Sequence, residues 1–189
     1  MKHRSNKMKL TFLVFFGLML QTSLFAQTQF NVPENVTLTA KEDYAKYETD
    51  IVNASKWLEE TPLDQEREKR SKIAAFVIKW VTGCPNFNME LTPPLQKIYD
   101  KNTDLLLIYM ASYSRHFIVN KTAATKFGAA KEALTSMMNV YKKGIDIKKS
   151  KEMNKLIKAD EEGKMDEYMH EKLVSLFWEE AIKAGMSGK

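Results

Sequence analysis

The residues of this chain that carry reactive groups are few. Cys84 is the sole cysteine, set between a glycine and a proline in "KWVTGCPNFNMELTPPL", Lys79 to Leu95. A cysteine nucleophile needs its thiolate favoured by a neighbouring base or by a helix N-terminus. Gly83 reads as a helix stop, which puts the thiol after a C-terminus, where the helix dipole opposes a negative charge. Of three histidines, His3 lies in the N-terminal segment treated below, which leaves His116 and His170 as bases. No local motif couples either of them to Cys84, so the expected role of the thiol is packing, with a Cys-dependent enzyme as a secondary alternative. One cysteine also means that no internal disulfide supports the fold.

Metal chemistry finds no support in spacing. Cys84, His116 and His170 lack the paired arrangement of a zinc site. "DEEGKMDEYMHE", Asp160 to Glu171, is acidic but does not match the alternating oxygen ligands of a calcium loop. The expectation is no catalytic residue, no metal and no cofactor. The most informative polar set is Tyr109, Tyr113, His116 and Asn120, spaced 4, 3 and 4 apart on one helical face. On an otherwise apolar helix such a stripe either lines a ligand cleft or hydrogen-bonds within the core edge, and these four are the candidate ligand-binding residues. Arg115 beside them is expected to be solvated or to pair with an acid on a neighbouring helix.

The elements that must position these side chains read as helices throughout. Residues 1–26 form a secretory signal peptide: Lys2, Arg4, Lys7 and Lys9 precede an apolar run, Leu10 to Leu20, and a polar stretch ending at Ala26. That run is shorter than the roughly 20 residues of a spanning helix, so no stable membrane anchor is expected after cleavage. The chain is therefore expected to be exported, to a periplasm or the extracellular medium. With 29 basic and 24 acidic residues the full chain is basic, but four of the basic residues and no acid leave with the signal. The nearly neutral remainder speaks against nucleic acid, which requires a concentrated positive face. One local concentration persists, seven lysines between Tyr141 and Lys158, suited to an acidic partner or lipid headgroups if it is more than a solvated face.

Residues 27–38 are predicted to form an extended N-terminal arm, and 39–185 a single all-α domain. Thr39 and Glu42 have capping-box spacing, and Tyr44, Tyr47, Ile51, Ala54 and Leu58 follow on one face. Thr61-Pro62 and Thr92-Pro93 each look like a helix start, with proline in the first turn. "LLLIYMASYSRHFIVN", Leu105 to Asn120, is apolar nearly all round and reads as a central helix. Further helices are predicted from Thr122 to a stop at Gly144, from Ser150 to Glu162, and from Met165 to Ala184. Short connections make these antiparallel, so the expected fold is an irregular antiparallel helical bundle of six or seven helices. The alternative is a stack of helical hairpins, a short α-solenoid. The expected function is that of an exported non-catalytic protein acting by binding or protein–protein interaction. The alternative is a small-molecule or lipid carrier with a cleft along the central helix. The partner would accordingly be a protein or a small apolar ligand.

Overall fold

The structure is a computed structural model that describes residues 29–185; the expected signal peptide lies outside the described residues. Among the described residues there are nine α-helices and no strand, an all-α bundle. They are α1 (Lys41–Lys46), α2 (Glu48–Glu60), α3 (Arg67–Gly83), α4 (Pro93–Tyr99), α5 (Asp104–Asn120), α6 (Lys126–Lys143), α7 (Lys151–Glu161), α8 (Met165–Lys172) and α9 (Trp178–Lys183). Single 3-10 turns follow α5 at Lys121–Ala123 and α8 at Val174–Leu176.

Helix α5 is central, as its all-round apolar surface predicts. It packs most extensively on α6, then on α2, then on α3. Leu105, Ile108, Tyr109, Ala111, Ser112 and Tyr113 are all buried along it. Residues 29–40 carry no helix, yet they are not detached. Phe30 inserts into the core, Val32, Val36 and Leu38 pack against it, and Lys79 Nζ donates to the Val36 carbonyl at 2.6 Å.

Several boundaries differ from the sequence expectation. The first helix is anchored by Asp43 rather than Glu42. The Asp43 carboxylate accepts from Thr39 N at 3.1 Å, Ala40 N at 2.9 Å and the Thr39 hydroxyl at 3.1 Å, which makes Ala40 the N-cap. The apolar face through Leu58 is present, but it bends at Tyr47 between α1 and α2.

Thr61-Pro62 does not open a helix. Arg70 reaches back from α3 and donates to the carbonyls of Thr61 (2.9 Å) and Pro62 (3.1 Å), holding them as the end of α2. Leu63 is buried beneath this turn, and α3 begins only after Glu66, whose φ is 45°. Thr92-Pro93, by contrast, does start α4.

The helix expected from Thr122 begins at Lys126, with Thr125 as its cap accepting from Gly128 N at 3.0 Å. The predicted last helix is broken after Lys172. The 3-10 turn at Val174–Leu176 follows, and Leu173, Leu176 and Phe177 are all buried there. Gly144 ends α6 at a φ of 70°, as its sequence position suggests.

Candidate functional site: a groove at the end of the central helix

The connection from Cys84 to Leu91 is short of regular structure, and one side chain fixes its path. Phe87 lodges against three aromatics from two helices. Its ring centroid lies 6.0 Å from that of Trp80 on α3, 5.7 Å from Tyr113 and 4.8 Å from Phe117 on α5. The Phe87 and Phe117 planes are within 19°, a stacked pair, and Tyr113 and Tyr109 continue the aromatic row along α5. Such contacts supply specific geometry beyond area burial. Trp80 itself is fully buried and donates its indole N–H to the Tyr44 carbonyl at 3.0 Å.

Above this floor the end of α5 and the Cys84–Leu91 connection leave a groove of about 390 Å3. Phe87, Phe117 and Ile118 give it an apolar base, while Glu48, Asn86 and Lys121 bring polar groups. The volume falls in the range of small-ligand pockets. Lys121 sits there in a backbone conformation of φ 47° and ψ −118°, territory that favours glycine. A lysine held so costs about 1–3 kcal/mol, and such strain collects at binding and switch sites. The turn is held by Ala124 N donating to the Lys121 carbonyl at 3.1 Å.

The expected stripe divides between core and surface. Tyr109 and Tyr113 are buried, and the phenol of Tyr113 donates weakly to the Asn88 carbonyl at 3.4 Å. Tyr109 Oη is buried with no hydrogen-bond partner among the described residues. Burial pushes both phenols well above their ordinary range, with the charges of Glu180 and Glu90 adding to the shift at Tyr113. His116 Nδ1 lies 2.9 Å from Glu132 Oε2, and Asn120 Nδ2 donates to the His116 carbonyl at 2.9 Å. Gly128 lets α6 approach this imidazole: an added Cβ there would meet the ring at 2.9 Å. The stripe therefore supports the groove floor through Tyr113, whereas the groove lining comes from the next face of α5 and from residues 86–87. The two-sided signal that marks it, aromatics at 80, 87 and 117, is spread over two helices and a loop, so no single helical window contains it.

Arg115 takes the paired role. Its guanidinium bridges three helices, from Nη1 to Glu59 Oε1 at 2.7 Å and from Nε to Glu132 Oε1 at 2.8 Å. Nη1 also donates to Ser55 Oγ at 3.0 Å and Nη2 to Ser136 Oγ at 3.3 Å, while Ser112 Oγ donates to Glu59 Oε1 at 2.9 Å. Desolvation lowers the guanidinium pKa and Glu59 and Glu132 raise it; the net direction is upward. Each charge in this cluster is met by an opposite one, which is the condition for ions to sit between packed helices.

Cys84 is buried as the C-cap of α3, and burial pushes its thiol above the ordinary value, with smaller opposing hydrogen bonds from the Asn86 and Phe87 backbones. His116 is engaged with Glu132, and His170 stacks on Phe127 at 5.0 Å with its Nδ1 buried and, among the described residues, without a partner. Among the described residues no cluster of three His, Cys, Asp or Glu side chains is placed to hold a metal. None of the described helices is long and apolar enough to cross a membrane. Comparison of the chain with known protein families, with curated proteins and with solved structures finds no match.

Proposed function

We propose that this is an exported, non-catalytic binding protein whose groove at the end of α5 receives a small amphipathic molecule. The observation that carries the reading is the groove itself, in which the stacked Phe87 and Phe117 are joined by the charged side chains of Lys121 and Glu48. A flat apolar ring fits the floor, and an acidic substituent fits Lys121. The basic head and apolar run of residues 1–26 support export. Thiol chemistry is the weaker reading, because a buried cysteine after a helix C-terminus is held in its neutral, unreactive form.

Native mass spectrometry of the protein purified from its own host tests this. The expected result is a retained small molecule bearing a ring and an acidic group, lost from Ile118→Trp, which fills the groove. The mass of the bare chain, or equal retention by Ile118→Trp, contradicts the reading.

A further inference from the structure

The lysine-rich stretch after α6 acquires a different meaning once the chain is folded. Asn102 clamps the α6–α7 connection through its side chain: Nδ2 donates to the Lys148 carbonyl at 2.8 Å, and Oδ1 accepts from Lys148 N at 2.7 Å. Ser150 Oγ adds a long bond to the Ile98 carbonyl at 3.4 Å, and Ser150 N donates to Tyr141 Oη at 2.9 Å. These bonds place the end of α4 beside the start of α7. The exposed Lys97 and Lys101 are thereby brought near the exposed Lys148, Lys149 and Lys151.

Those five lysines make no ion pair among the described residues, whereas Lys142, Lys155 and Lys158 close by pair with Glu161, Glu152 and Glu162. The acids around the patch are largely engaged. Asp146 pairs with Arg67 at 3.2 Å, and Glu152 bonds Lys155 at 2.9 Å, leaving Asp100 and Asp104 as the opposing charges nearest Lys101 in the chain. Glu152 is held below the usual carboxylate range, first by its hydrogen bond to Lys155 and then by the charges of Lys155, Lys151 and Lys97. One carboxylate thus senses lysines from both α4 and α7, which is the juxtaposition the clamp imposes.

Beside this unpaired charge, Ile145 follows the left-handed Gly144 and stands 39% exposed at the turn. A folded protein with a nearly neutral described chain has no general reason to concentrate free ammonium groups around an exposed apolar side chain. An anionic phospholipid surface uses both: phosphates meet the lysines, and the isoleucine enters the headgroup boundary. We propose that the face formed by Lys97, Lys101, Lys148, Lys149 and Ile145 docks the folded protein peripherally on an anionic phospholipid bilayer.

Flotation of the protein as its host cell produces it tests the assignment, with phosphatidylcholine vesicles prepared with and without phosphatidylglycerol. The readout is the difference between the two, so any apolar segment that binds both cancels. The expected result is partition that requires phosphatidylglycerol and weakens as salt is raised. Each lysine near an anionic surface strengthens partition about fivefold, so Lys101→Glu/Lys149→Glu should lose about thirtyfold or more. Lys41→Glu/Lys56→Glu, which changes net charge equally from exposed positions on α1 and α2, should lose far less. Circular dichroism checks that both doubles are folded. No preference for phosphatidylglycerol, or equal loss by the two double variants, overturns the proposal. Saturation by soluble polyglutamate without vesicle partition overturns it too, in favour of an acidic protein.

Discussion

Gly83 stands where another residue's side chain needs room. The sequence suggests a helix stop that exploits positive φ, but Gly83 ends α3 within the helix, and the left-handed glycines among the described residues are Gly144, Gly163 and Gly185. What Gly83 provides is space: a Cβ there would lie 2.0 Å from Tyr44 Oη. Tyr44 is buried against Trp80, with ring centroids 6.1 Å apart, so it has little freedom to swing away. Gly83→Ala should therefore destabilise the fold by about 1–3 kcal/mol, the usual range for overpacking. Tyr44→Phe in the same chain should restore part of that loss, measured by chemical denaturation. A second residue-scale prediction concerns Tyr109, whose hydroxyl is buried and orphaned. In the folded chain burial keeps this phenol neutral, while in the unfolded chain it ionises near the ordinary value of 10.0. Above that pH the unfolded state releases a proton that the folded state keeps, so stability falls as pH rises. Tyr109→Phe should lessen that alkaline decline and raise stability at neutral pH by about 1 kcal/mol, because no hydrogen bond is lost with the hydroxyl. Thermal unfolding followed between pH 8 and pH 11 checks both signs.

Elements are joined here by side chains that reach across to another helix's end or flank, and these links were only partly legible in the sequence. Periodicity located the central helix, its neighbours and the stop at Gly144, since those follow from local spacing. The break after Lys172 was hidden because Leu173, Leu176, Phe177 and Ala181, at i, i+3, i+4 and i+8, fit one continuous helical face. That break brings Glu180 to the start of α6, where its carboxylate accepts from Lys126 N at 2.6 Å and Phe127 N at 3.0 Å. A capping acid 53 residues away in sequence leaves no local signature. Arg115 illustrates the same limit: pairing with an acid was foreseeable, but Glu59 and Glu132 became its partners only through the packing of α2, α5 and α6. Arg115→Ala leaves the partly buried carboxylates of Glu59 and Glu132 without their shared cation. It should cost about 3 kcal/mol in urea denaturation. Arg115→Lys, which keeps the charge but not the fork, should recover only part of that.

At the scale of the molecule, the buried apolar side chains form one cluster running from Phe30 to Ala181, so the groove rests on a packed base and not on a mobile surface. The fold class followed from the helical pattern, whereas the candidate site was half visible. The stripe lies on α5, which also borders the groove, and the lining sits further round, where Phe117 and Ile118 line it with Phe87 from a segment that reads as mere connection. The central claim is that this groove, and not any other apolar surface, accepts a small amphipathic ligand. The most direct measurement is an amide-resolved NMR titration with 1-anilinonaphthalene-8-sulfonate, an aromatic ring system carrying one anionic group. The account predicts saturable one-to-one perturbation centred on Asn86, Phe87, Phe117, Ile118, Lys121 and Thr122. Perturbation centred instead on the exposed Trp178 and Ile182 of α9, or none that saturates, would contradict it.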